Sequence, residues 1–305
     1  MNLAIISHPD CALHENSPMH PESPQRISAI NDALISARLD PLLSHYDAPL
    51  ATREHLERVH APAYIDAIFA QAPDRGSIWL DGDTGMNPHS LSAALHAAGA
   101  LVLATEWVTG DGPKRAFCNI RPPGHHAERS RAMGFCIFNN IAVGVTHALA
   151  TQGLERVAIC DFDVHHGNGT EDIFAGNEQV LVCQTFQHPL YPGTGMDSTA
   201  ANLVNVPLSA GDGGDAFRAA VTDRWLPALE AFAPEMIFVS AGFDAHRDDP
   251  LAQLALVEAD YAWVTRELVG VADRFAEGRI VSTLEGGYDL PALGRSAAAH
   301  VDALL

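Results

Sequence analysis

Residues 156–170 read "RVAICDFDVHHGNGT". The run at 157–160 is apolar without interruption, as expected of a strand buried on both faces. Beyond it, Asp161, Asp163 and His165 alternate with Phe162 and Val164, so on extended backbone the three polar side chains share one side. Residues two apart on a strand stand roughly 7 Å apart at Cα. A carboxylate and an imidazole at that spacing reach a single ion, which makes Asp163 and His165 a natural chelating pair. Asp161 sits one step deeper, where a buried carboxylate orients a neighbouring imidazole or holds a second cation. A polar turn with a Gly-Asn-Gly bend capping a helix is the plainer alternative, but turns rarely need two aspartates and two histidines in series.

Similar short, continuously apolar runs recur along the chain: "LAIIS", "RAFCNI", "QVLVCQTF", "EMIFVSAGF" and "RIVSTLEGG". Between them lie helix-length segments, the Ala/Leu-rich stretches at 88–108 and 138–152 and those at 215–232, 258–277 and 289–305. Strands alternating with helices imply right-handed crossovers and a mostly parallel sheet covered on both faces, an α/β class. No long linker, internal repeat or low-complexity tract divides residues 1–305, so a single domain is expected.

The chain has 305 residues and is 47% hydrophobic and 18% charged, enough to bury a sizeable core. Its N-terminus lacks a basic n-region, and no apolar run is expected to reach the ~18 residues that span a bilayer. The five cysteines form no metal or disulfide pattern and read as reduced core residues of a cytoplasmic protein. A net charge of −20 argues against nucleic acid as a partner and is permissive for cationic substrates.

In a parallel sheet, ligands bind outside the carboxyl ends of the strands, and there the polar clusters fall. In "SAGFDAHRDDP", Asp244 follows a strand and completes a two-carboxylate, one-imidazole set with open coordination positions, the pattern of a catalytic centre. His246, Asp248 and Asp249 compete for that role from further along the loop. In "RPPGHHAE", the tandem His125 and His126 follow a stiff turn and are candidates for general base and acid in amide hydrolysis, if an Asp partner tunes each differently. In "EGGYD", Tyr288 is placed to donate to a developing oxyanion. Asp81, Asp83, Glu128, Asp197, Asp248 and Asp249 flank these loops and are candidates for an acidic rim that attracts cations.

Taken in order, "HPESPQRI", "RPPGHHA", "GFCIFNN", "DFDVHHGNGT", "YPGTG", "SAGFDAHRDDPL" and "EGGYDL" resemble the histone deacetylase superfamily, most closely its class II and bacterial acetylpolyamine amidohydrolase branches. The resemblance implies a three-layer α/β/α arginase–deacetylase fold and zinc-dependent removal of acetate from an acetylated amine, either acetyl-lysine of a protein or an acetylated polyamine. It implies one zinc per chain on Asp163, His165 and Asp244, with His126 as general base, His125 electrostatic, Asp161 behind it and Tyr288 at the transition state. By the same resemblance Phe135 and Tyr191 wall the acyl tunnel, Gly134 and Gly287 line it, Asp83 grips substrate at the rim, and Arg26 stands beside an internal acetate channel. Family members often hold potassium beside Asp161 with a serine hydroxyl. Gln184 replaces that serine and Phe186 a histidine, which leaves backbone carbonyls to hold the ion. Members of this size often form homo-oligomers. A ureohydrolase of the same fold needs a second bridging carboxylate where Ala245 and His246 stand, and an idle acyl-lysine binder is expected to lack Tyr288 or the histidine pair.

Overall fold

The computed structural model describes residues 3–305. Its strands are β1 (Leu3–Ser7), β2 (Leu43–Asp47), β3 (Ile78–Trp79), β4 (Gly85–Met86), β5 (Arg115–Cys118), β6 (Val157–Asp161), β7 (Val180–Gln187), β8 (Leu203–Leu208), β9 (Met236–Ala241) and β10 (Ile280–Leu284). Its α-helices are α1 (Gln25–Ser36), α2 (Arg53–Glu57), α3 (Pro62–Gln71), α4 (Ser90–Thr109), α5 (Asn140–Thr151), α6 (Asn168–Phe174), α7 (Gly214–Ala220), α8 (Leu226–Phe232), α9 (Glu258–Phe275) and α10 (Leu290–Leu304). Eight strands form one sheet in the order β2-β1-β5-β10-β9-β6-β7-β8, with each neighbouring pair parallel. β3 and β4 form a separate antiparallel pair.

Successive side chains of the inner strands enter two different cores. Ala4, Ile6, Ala116, Val157, Ile159 and Phe238 pack on one face with α4 and α5. Leu3, Ile5, Phe117, Ala158, Cys160 and Val239 pack on the other with α1, α9 and α10. That double burial accounts for apolar runs without alternation, and each fully buried Val, Ile or Phe contributes roughly 1.5–3 kcal/mol. The architecture is the expected α/β/α sandwich around a parallel sheet.

Two details differ from the sequence reading. α4, with 20 residues and Glu106 as its one formal charge, is long and apolar enough to cross a membrane by length and composition. Two thirds of its most apolar window (67%) is instead buried within the protein, so the missing charges reflect a core helix. Segment 215–232 is not one regular helix: a π-helical turn, Val221–Trp225, joins α7 to α8 just before Pro227, which lacks the N–H that a regular turn would use. All five cysteines are buried and free.

The four inner strands β5, β10, β9 and β6 are adjacent and parallel. Their carboxyl ends therefore share one edge, and residues 121–126, 161–165, 244–249 and 285–288 meet there despite their separation in sequence.

Candidate active site

Asp163, His165 and Asp244 each place a ligand atom within 4.8 Å of the others. His165 Nδ1 lies 3.0 Å from Asp163 Oδ1 and 3.2 Å from Asp244 Oδ2. The remaining carboxylate oxygens are tied to backbone: Asp163 Oδ2 accepts from Gly286 N–H at 2.8 Å and Asp244 Oδ1 from Val164 N–H at 2.9 Å. Asp244 Oδ2 is left buried without a hydrogen bond. The shell is shaped around these oxygens. A Cβ at Gly242 would stand 2.0 Å from Asp163 Oδ2, and one at Gly286 would stand 1.9 Å from Asp244 Oδ2.

Two buried carboxylates around one imidazole, one oxygen of them unpaired, need a compensating cation, so the donor set fits a divalent ion. Burial disfavours protonated His165, but the Asp163 and Asp244 carboxylates overcome it and push its pKa up to about 10. A metal held there would bind in exchange for that proton. Asp244, and neither Asp249 nor His246, completes the set.

The tandem histidines stand beside it, ring centroids 4.1 Å apart. His125 Nδ1 meets Asp161 Oδ2 at 2.9 Å, and its Nε2 lies 3.8 Å from Asp163 Oδ1. Burial opposes protonation of His125, but Asp163 and Asp161 outweigh it and hold its pKa well above the usual value. His126 Nδ1 instead meets Asn168 Oδ1 at 2.8 Å. The orientation of that amide is fixed, because Asn168 Nδ2 donates to Glu128 Oε1 at 2.7 Å. Only the carbonyl faces the ring, so Nδ1 is the donor and Nε2 keeps its lone pair. Burial, then repulsion from His125 and His165, holds the His126 pKa well below the usual value. The expected pair of Asp partners is thus corrected to one carboxylate and one neutral amide, and the two imidazoles are pushed in opposite directions.

The aromatic residues gather above this floor. The Tyr191 ring lies 5.3 Å from His126 and 6.2 Å from His165, and the Phe135 ring meets Tyr288 edge-on at 5.8 Å. Gly134 (φ 57°) and Phe135 (φ 68°) are the centre of a tight reverse turn closed by Cys136 N–H to Met133 O at 3.0 Å. A Cβ on Gly134 would lie 2.4 Å from the His126 ring, so glycine permits that approach. Phe135 N–H donates to Thr84 Oγ1, which donates to Asp83. Asp83 is therefore one link from the Phe135 wall, and burial and the neighbouring Asp81 raise its pKa.

Tyr288 is held by its backbone, with its N–H donating to Asp249 Oδ2 at 2.7 Å. Arg26, fully buried, lies 5.0 Å from its ring centroid and donates to the carbonyls of Glu285 and, at 2.7 Å, Gly287. Burial, which the Arg26 charge opposes, holds the phenol pKa well above its usual value, so the hydroxyl remains a donor.

The roles of several supporting residues escaped the sequence reading. Asp249 is buried and tethers Tyr288, so it belongs to no acidic rim; Asp248 is exposed but lies 3.5 Å from Arg295. Glu285 Oε2 accepts from the N–H groups of Gly124 (2.7 Å) and His125 (3.1 Å), and burial, opposed by His125, raises its pKa to about 7. Glu22 bridges Arg121 and Arg26 inside the protein. A carboxylate standing between a strand end and two glycines was the available signal for Glu285. Beside Asp161, Gln184 Oε1 accepts from Gly167 N–H at 2.8 Å, and Phe186 packs on His166.

The family model described as "Histone deacetylase domain" matches residues 20–304. A "Probable deacetylase" of Methanothermobacter thermautotrophicus is 40% identical, covering 99% of this chain and 90% of that protein. A "Histone deacetylase-like amidohydrolase" of Pseudomonas aeruginosa is 38% identical over 88% of this chain and 72% of that one. The crystal structure of the HDA15 HD domain superposes with a TM-score of 0.92 at 36% identity, covering all of this chain (100%) and 90% of that one.

Proposed function

This chain belongs to the histone deacetylase family, and on that premise we propose that it hydrolyses the acetyl amide of an acetylated lysine in a protein or peptide, giving acetate and the free amine. The observation that carries the reading is the convergence of Asp163, His165 and Asp244 on one buried point directly beside a pair of oppositely tuned histidines. Those three residues would hold zinc, which when bound supplies a Lewis acid that polarises the acyl carbonyl and acidifies water.

The chain's own groups do the rest. His126, neutral with a free Nε2, takes the proton of the attacking water and returns it to the leaving amine. His125, paired with Asp161, carries positive charge or a strongly held proton next to the reacting centre and does not compete as base. Tyr288 donates its hydroxyl to the oxygen on which negative charge develops. Phe135 and Tyr191 clasp a slender aliphatic chain, and Asp83 accepts from the substrate at the mouth.

An acetylated polyamine is the second reading, carried by the Asp81–Asp83 pair next to Phe135 and a net charge of −20. Acetate release from acetyl-lysine peptides and from N-acetylputrescine, each with the parent protein and Tyr288→Phe, tests both. Higher kcat/KM on the peptide, with kcat lowered ~10²-fold or more in the variant, is the expected result. Preference for the polyamine selects the second reading, and undiminished turnover in the variant removes Tyr288 from the mechanism.

A further inference from the structure

Tyr191 stands in residues 189–199, a segment between β7 and β8 with neither helix nor strand. Its ring meets His126 and His165, but its side chain has no hydrogen bond among the described residues. Its place over the site therefore depends on how the segment is anchored. On one side of Tyr191, Leu190 packs against the core. On the other side the anchors are polar side chains. Thr194 Oγ1 lies 2.8 Å from His166 Nδ1, Asn205 Nδ2 donates to the Gly195 carbonyl at 3.0 Å, and Ser198 Oγ donates to Glu171 Oε1. Gly195, at φ 92°, comes so close that a Cβ would stand 2.6 Å from the His166 ring.

These anchors converge on one carboxylate. Glu171 Oε2 lies 3.0 Å from His166 Nε2 and accepts from Asn205 Nδ2 at 2.8 Å, while Oε1 takes the Ser198 hydroxyl. An ionised carboxylate only accepts, so His166 donates from Nε2. Burial opposes ionisation of Glu171, but hydrogen bonds from His166, Ser198 and Asn205 overcome it and lower its pKa to about 2. A charge on a solvated helix face needs only water. Here donors from the turn before α6, from the segment itself and from β8 meet on one partly buried group. Glu171 also lies one turn along α6 from Asn168, which sets the tautomer of His126. The same short helix thus serves the base on one side and the tunnel wall on the other.

We infer that Glu171 is a positioning residue for substrate binding: it ties down residues 194–198, which keeps Tyr191 closed on the acyl chain, and takes no part in the chemistry. The inference rests on the proposed reaction, in which Tyr191 walls the tunnel. Releasing the segment lowers the fraction of molecules ready to bind, which raises KM by the same factor. Substrate that has reordered the segment meets unchanged reacting groups, so kcat holds.

The test compares full-length, zinc-loaded parent protein with Glu171→Ala and Glu171→Gln in two measurements. One is kcat and KM on an acetyl-lysine peptide. The other is the rate of thermolysin cleavage within residues 189–199, where Met196 is half-exposed, followed by mass spectrometry. For Glu171→Ala, cleavage about ten-fold faster, KM about ten-fold higher and kcat within about two-fold of the parent are expected. Glu171→Gln, whose amide oxygen still accepts from Ser198 or Asn205, should fall between the two. If circular dichroism shows Glu171→Ala unfolded, Thr194→Val/Ser198→Ala, which cuts the anchors from the segment's side, replaces it under the same criteria. Unchanged cleavage, an unraised KM, a fall in kcat alone, or a Gln variant no better than Ala overturns the inference. Cleavage reads the segment without catalysis, so a parent that deacetylates nothing would sink the proposed function and leave the anchoring role to be decided by proteolysis.

Discussion

At the residue scale, the distinction between the tandem histidines rests on what each Nδ1 faces. A carboxylate stabilises imidazolium, whereas the Asn168 carbonyl only fixes a tautomer. Asn168→Asp would place a charge against His126 and raise its pKa. A general base works unprotonated, so raising that pKa should move the acid limb of the kcat/KM profile to higher pH. Measured from pH 5 to 9, an unmoved limb would show that His126 is not the titrating base. The positions of Asp163, His165, Asp244 and the tandem histidines were legible because strand alternation and strand-end placement follow from sequence. The amide partner was not, since Asn168 approaches from the start of α6 and its orientation depends on Glu128, 40 residues upstream.

At the element scale, all six inner strands of the eight-stranded sheet were legible as unbroken apolar runs, and the two strands of that sheet that were missed are its edges. β2 ("LSHYD") is nowhere fully buried, and β8 ("LVNVPL") only at Leu208, so neither has the two covered faces that make a run continuously apolar. Proline in β8 is tolerated because an edge strand leaves one side of its ladder unpaired. Register across elements was likewise invisible. His300 of α10 joins Thr265 of α9 (2.6 Å) to Ser282 of β10 (2.8 Å), fully buried. Burial alone lowers its pKa to about 3. Between pH 6.5 and about 3, the unfolded chain binds a proton that the folded histidine refuses, so its contribution to stability falls as pH falls, by about 1.4 kcal/mol per unit. In His300→Gln that contribution is absent. The stability gap between parent and variant, from guanidinium melts, should therefore narrow on going from pH 7 to pH 5. A constant gap would mean that His300 titrates normally.

At the scale of the whole molecule, one parallel sheet brings four separate polar segments to a single edge, and two helical layers bury the charges behind them. The Glu22–Arg121–Arg26 network and Glu285 support those segments from within, connecting "HPESPQRI", "RPPGHHA" and "EGGYDL" in one buried web. The segments were readable one by one, and their common support became visible only once the chain was folded. The central claim is that this edge forms a metal-dependent deacetylase centre built on Asp244. Its most direct test is acetate release from an acetyl-lysine peptide by chelator-stripped protein before and after one-ion-at-a-time addition of zinc, beside Asp244→Asn. The account predicts negligible turnover when stripped, recovery with zinc, and no recovery in the variant, which has lost one of three ligands. Full turnover by the stripped protein, or zinc-restored turnover in Asp244→Asn, would contradict it.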